Sequence, residues 1–197
     1  EGEKILLFAS SGMGKTTLAS MLPDPVFISA DDGARKIRNP KTGAVLRAIP
    51  EVRSFADVRD ALSQKGLFKR GQTLVVDTIS ETERWGEEYT IATVRHEKGH
   101  AVKSIEGYGF GKGYKHMQDT MALLRQDMDR LIRDGVNICL LAQESAVVIP
   151  NAAGLDYLQS GPKLYHGKNF SIRADYYEWA DHVFRIGYYE NEVAGEA

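Results

Sequence analysis

Cysteine is almost missing from this chain, with one, Cys139, among 197 residues. A disulfide scaffold is thereby excluded, and because Cys139 lies inside the apolar run Val136 to Ala142 it reads as a buried, reduced core residue of a cytoplasmic protein. No apolar run approaches the roughly 18 residues a spanning helix needs, so no membrane partner is expected. A strong charge of either sign is lacking too. The formal net charge of −2 excludes a uniformly basic nucleic-acid binder and confines any such activity to local patches. The start Glu1-Gly2-Glu3 is no signal peptide, and without an initiator Met it reads as a trimmed chain. There is no internal repeat, low-complexity tract or interdomain linker. One domain over residues 1–197, long enough to bury a proper core, is the expectation.

What is present declares itself early. The segment Phe8-Ala9-Ser10-Ser11-Gly12-Met13-Gly14-Lys15-Thr16-Thr17 follows the apolar run Ile5-Leu6-Leu7-Phe8 and precedes a helix-forming stretch. It matches the phosphate-loop pattern G-x-x-x-x-G-K-[ST], in which backbone N–H groups and a helix N-terminus converge on a phosphate chain. Ala9 stands at the first glycine position, where the strand ends and little room is needed. Gly12 and Gly14 are the residues that let the backbone wrap round an anion. Ser11, Gly12, Met13, Gly14, Lys15, Thr16 and Thr17 are therefore the candidate nucleotide contacts. Lys15 would reach the β and γ phosphates, and Thr16 would ligate the Mg²⁺ that ATP brings with it.

The rest of the pattern alternates strand and helix. Short apolar runs at Lys4 to Phe8, Val26 to Ala30, Thr73 to Asp77, Val136 to Ala142 and His182 to Gly187 suit a parallel sheet covered on both faces. Helical segments are expected over Lys15 to Leu22, Phe55 to Lys65 with Ser54 as N-cap, Ile79 to Arg95, and Tyr114 to Asp134 ending before Gly135. Met117, Met121, Leu124, Met128 and Leu131 form a core stripe along the last of these. The fold class is thus α/β, a three-layer P-loop nucleotide-binding domain.

Other candidate groups stand at strand ends. Asp77 closes the apolar run Thr73-Leu74-Val75-Val76, and an acid there is costly unless paired, as it would be by Mg²⁺ held through water. Asp31 and Asp32 follow Phe27-Ile28-Ser29-Ala30. Asp31 is the favoured water-activating residue and Asp32 its rival. Gln143, after Leu140-Leu141-Ala142, is placed to sense a γ-phosphate. In a parallel sheet these C-terminal strand ends line the ligand crevice.

In this order the phosphate loop, Phe27-Ile28-Ser29-Ala30-Asp31, Leu74-Val75-Val76-Asp77-Thr78 and Leu140-Leu141-Ala142-Gln143 resemble the RecA/RadA-type ATPase core. With the closing Ala180-Asp181-His182-Val183-Phe184-Arg185, the chain resembles the phage nucleotide-binding AAA-type family that includes single-strand annealing ATPases. The resemblance spans about Lys4 to Gly187. It implies a RecA-like, mainly parallel five-stranded sheet of order 5-1-4-3-2, ATP and Mg²⁺ as cofactors, and coupling of ATP to DNA. Members usually carry a glutamate where Asp31 stands, and the shorter acid leaves the rate of hydrolysis open. No N-terminal oligomerisation segment precedes the first strand, so a homo-oligomer is possible but a filament is not implied.

Two basic segments give the residues' own indication of DNA. Arg95 to His116 holds five Lys or Arg against two Glu, and Pro162 to Arg173 holds three cations and no acid; together they are +6 in a chain of −2. Lys98, Lys103, Lys112, Lys115, Lys163, Lys168 and Arg173 would neutralise phosphates while Tyr108 and Phe110 stack on bases of a single strand. A mobile lid is the plainer reading of such loops. Two alternatives stay open: a P-loop small-molecule kinase, whose loop would close over an acceptor, and a nucleotide-dependent switch that binds a protein partner. The absence of an Asn-Lys-x-Asp motif favours adenine over guanine in every case.

Overall fold

In the computed structural model, which describes residues 1–29, 37–149, 154–155 and 157–188, the apolar runs become the inner strands of one sheet. β1 (Lys4–Ala9), β2 (Pro25–Ser29), β4 (Thr73–Asp77), the first half of β5 (Asn137–Ile149) and β7 (His182–Arg185) run parallel. The neighbour order is β3-β2-β4-β5-β1-β7, with β3 (Arg47–Ala48) a two-residue edge strand. Counted among the five strands expected from the sequence, this is the 5-1-4-3-2 order read from the opposite edge. The sheet differs from expectation by two additions, β3 and β6 (Tyr157–Pro162). β6 pairs antiparallel with the far half of β5, from Glu144↔Pro162 to Ile149↔Tyr157.

Strict two-sided burial explains why the middle strands are unbroken apolar runs. Leu6, Phe8, Leu74, Val76, Ile138 and Leu140 point into the larger core, together with side chains of α2 (Phe55–Ser63), α3 (Ile79–Thr93), α4 (Lys112–Arg133) and α5 (Ile172–Trp179). The alternate residues Leu7, Phe27, Val75, Cys139 and Leu141 face the other way and meet Ala19 of α1 (Lys15–Ala19). Cys139 is 1% exposed, and burial pushes its thiol up to about 12. The five stripe residues of α4 are all buried, as their spacing predicts. Ser54 caps α2 by accepting from the Asp57 N–H at 3.2 Å.

α3 and α4 are joined through a 3₁₀ turn, Ile105–Tyr108, that is held down firmly. Ile105 and Tyr108 are 2% and 3% exposed, and the Tyr108 hydroxyl donates to the carbonyls of Thr90 at 3.0 Å and Val94 at 2.6 Å. The first turn of α4 comes so near this turn that a Cβ on Gly113 would lie 2.0 Å from the Ile105 carbonyl oxygen. A backbone atom cannot swing aside, so Gly113→Ala is expected to cost about 1–3 kcal/mol, seen as a lower midpoint in urea unfolding. An unchanged midpoint would mean that this turn is not docked as described.

Candidate nucleotide-binding site

The phosphate loop joins β1 to α1, and Gly12 and Gly14 adopt φ of 79° and 82°, a region other residues reach only with strain. Lys15, the first residue of α1, is 7% exposed with its ammonium turned inward. It donates to the carbonyls of Ala9 at 2.9 Å and Ser10 at 3.1 Å and to the Gln143 amide oxygen at 3.4 Å. Burial lowers the Lys15 pKa, while the negative charges of Asp77 and Glu144 oppose that shift. A cavity of about 330 Å³ opens here, lined among others by Ser11, Gly12, Gly14, Thr16, Thr17, Asp77 and Gln143. Thus six of the expected contacts surround one space, and Met13 belongs to the same loop without lining it.

Thr16 donates its hydroxyl to the Asp77 carboxylate at 2.7 Å, which brings the end of β4 against the first turn of α1. A hydroxyl and a carboxylate in contact are the hard oxygens that magnesium takes. An inward ammonium, freed loop amides and this oxygen pair fit Mg·ATP, in which the metal offsets phosphate charge. Thr16 and Asp77 would hold the ion, and Lys15 would exchange its carbonyl partners for phosphate oxygens. Asp31 and Asp32 lie outside the described residues.

Glu144, which sequence reasoning passed over beside Gln143, ties the loop to the last strand. Its carboxylate accepts from Ser10 Oγ at 2.8 Å and from Arg185 Nε at 2.6 Å, and these hydrogen bonds hold its pKa down. Gln143 itself is anchored through its backbone, donating N–H to Ser80 Oγ at 3.1 Å and accepting from the Lys163 N–H at 2.6 Å.

A second cleft of about 450 Å³ shares Asp77, Thr78 and Gln143 with the nucleotide cavity and extends to Glu83, Glu87, Met117 and Lys163. Glu83, also unforeseen, accepts from the Tyr165 N–H at 2.8 Å, and burial pushes its carboxyl up to about 7. The Tyr165 ring stacks on Tyr114, centroids 4.4 Å apart and 9° from parallel. The two basic segments therefore meet at this cleft.

Within them the structure separates the expected contacts. Lys98, Lys103, Lys112, Lys115, Lys163 and Lys168 are exposed, with Lys112 paired to Glu97 and Lys115 to Asp119 at 2.5 Å. Phe110 is fully exposed. Two expectations are corrected. Tyr108 is no stacking platform, since its ring and hydroxyl anchor the 3₁₀ turn on α3. Arg173 is no open surface cation, because its segment forms α5 and leaves it 6% exposed.

A phosphate loop facing an acid on β4, at the C-terminal edge of a mainly parallel sheet, defines a P-loop nucleotide-binding ATPase domain. The AAA domain family (AAA_24) matches residues 1–194, and the chain belongs to it. Among curated proteins none matches. A solved structure described as a prototypical ATPase from the type III secretion system of pathogenic bacteria is 13% identical, with a TM-score of 0.37, over 72% of this chain. The chain spans 45% of that protein's length.

Two outcomes follow from this geometry. Lys15→Ala should abolish ATP binding by calorimetry while far-ultraviolet dichroism stays native, because the loop supplies most of the phosphate charge recognition. Retained affinity would overturn the site. Glu83 has a folded pKa above its ordinary value, so the folded state binds the extra proton. Its stabilising contribution is full below about pH 4.5 and is lost as pH rises to about 7. Glu83→Gln should therefore gain stability over the parent at pH 8 and lose that advantage at pH 5, measured as melting temperatures.

Proposed function

We propose that this ATPase domain binds single-stranded DNA in an ATP-dependent way and promotes strand annealing or exchange of the kind used in phage recombination. The observation that carries the proposal is the link between the second basic segment and the nucleotide cavity. Gln143 touches Lys15 with its side chain and receives the Lys163 N–H on its backbone carbonyl, so one residue contacts both the phosphate loop and the second basic segment. A γ-phosphate that withdraws Lys15 from Gln143 would alter the residue on which Lys163 hangs. Such a difference in contacts between two states is what lets a ligand shift a binding equilibrium.

The exposed lysines suit a strand's phosphates, and their surface ion pairs are weak enough to exchange for them. Phe110 suits a base. It is held out at φ 49° between Gly109 and Gly111, both at φ 73°, just after a turn anchored by the buried Ile105 and Tyr108. Hydrolysis is assigned to water oriented by Asp31, with Gln143 at the γ-phosphate.

Fluorescence anisotropy with a labelled oligothymidylate at several salt concentrations tests the proposal. ATP and Mg²⁺ should tighten binding. Charge reversal at Lys103, Lys163 and Lys168 should weaken it for all sequences and flatten the salt dependence. Phe110→Ala should cost roughly 1–3 kcal/mol with little change of salt slope. Tyr108→Phe should lower thermal stability and leave DNA affinity unchanged. No binding at low salt with ATP and Mg²⁺ present would remove the DNA reading and promote a kinase or a protein-binding switch.

A further inference from the structure

Arg173 is more than nine-tenths buried, yet among the described residues its guanidinium has no ion pair and its Nε has no hydrogen-bond partner. Its backbone N–H donates to the Tyr165 carbonyl at 3.0 Å. A guanidinium stays charged at any ordinary pH, and burying one without a counter-charge is expensive. Elsewhere in the chain buried or half-buried arginines are matched: Arg59 with Asp127 at 2.6 Å and Arg125 with Asp175 at 3.2 Å. Arg173 breaks that pattern at a cavity of about 200 Å³, lined also by Gln159, His166 and Tyr177.

The cavity has the features of a built receptacle. The guanidinium lies over Gly161, where a Cβ would come within 2.8 Å of Nη1 and 3.3 Å of the Tyr177 hydroxyl. The glycine leaves room for the two groups to sit side by side. Burial raises the Tyr177 pKa while Arg173 opposes it, so the phenol remains an O–H donor at neutral pH. Gln159 is exposed at the mouth, and His166 is fixed by its Nδ1 contact with Ser171 Oγ at 2.7 Å. Ser160, also on the wall, already donates its hydroxyl to Glu144.

We propose that Arg173, with Tyr177 and Gln159, forms a binding site for one phosphate group, separate from the phosphate loop. A planar fork of donors beside a phenol matches a tetrahedral oxyanion, and the cavity volume admits one such group but not a nucleotide. The phosphate comes either from the backbone of a strand lying along residues 162–173 or from free inorganic phosphate. The site itself stands without the strand-binding proposal, which supplies only the first of these sources.

The test uses the full chain carrying Lys15→Ala, so that the phosphate loop is silent. Inorganic phosphate at tenfold excess over its dissociation constant should raise the melting temperature by about 3 °C or more. Arg173→Met in that background should remove the shift without lowering stability in phosphate-free buffer, because it removes an unpaired buried charge. A shift that survives Arg173→Met, or no shift in the Lys15→Ala protein, overturns the proposal. Should Arg173→Met not fold, Tyr177→Phe is read the same way: a several-fold loss of phosphate affinity supports the site, and unchanged affinity overturns it. If a strand supplies the phosphate, oligothymidylate displaces inorganic phosphate, and Arg173→Met reduces the slope of log affinity against log salt by about 1. If free phosphate is the ligand, Arg173→Met loses the phosphate response while oligothymidylate affinity is unaltered. Failure of the parent protein to bind oligothymidylate sinks the strand-binding proposal and leaves the phosphate titration to decide the site.

Discussion

An ammonium brought in from water must find oxygens, and the buried Lys15 finds them on separate elements: the end of β1, the loop after it and the middle of β5. That requirement fixes much of the upper edge of the sheet. Asp77 on β4 lies near enough to favour the charged ammonium and is itself held by Thr16. Glu144 does the same from β5 while reaching Ser10 and Arg185. The carbonyls that satisfy Lys15 in the free protein keep the loop open for an anion. Phosphate oxygens then replace partners already in position, rather than ordering a slack loop.

The central sheet was legible because its chemistry is repetitive. Ile138, Cys139, Leu140, Leu141 and Ala142 are apolar without interruption, and only a strand covered on both faces makes use of such a run. The phosphate loop was legible for a different reason, since Gly12, Gly14 and Lys15 have few other uses at that spacing. Beyond Gln143 the signal failed. β5 continues through Glu144 and Ser145 as half of an antiparallel pair with β6. Gln143-Glu144-Ser145 breaks the apolar run without setting up a period of two, and Tyr157-Leu158-Gln159-Ser160-Gly161-Pro162 mixes polar residues with Gly and Pro as loops do, so β6 went unseen. α5 was missed because Arg173 and its neighbours were counted as charge, whereas Ile172 and Tyr176 are fully buried. Tyr108 shows the same limit. A tyrosine amid glycines and lysines looks like a surface ring, and only the meeting of α3 with the 3₁₀ turn reveals carbonyls waiting for its hydroxyl. Glu83 and Glu144 carry no motif, and their roles come from what folds against them.

Charge is distributed unevenly around the nucleotide cavity, a pattern that net charge hides. The second cleft is lined by the acids Asp77, Glu83 and Glu87 and by the cations Arg84 and Lys163. Lysines farther out, from Lys98 to Lys103 and at Lys168, are exposed.

β1 lies between β5 and β7, although it is the first strand in the chain. Its residues Lys4 to Ala9 pair with Ile138 to Gln143, and Ile5 to Phe8 pair with His182 to Arg185. During synthesis β1 must therefore wait, with its apolar side chains and both hydrogen-bonding edges unoccupied, until partners more than 130 positions later emerge. The phosphate loop is translated before the strands that hold β1 in place, β5 and β7. Nucleotide binding thus reports a sheet in which β5 and β7 have both joined β1.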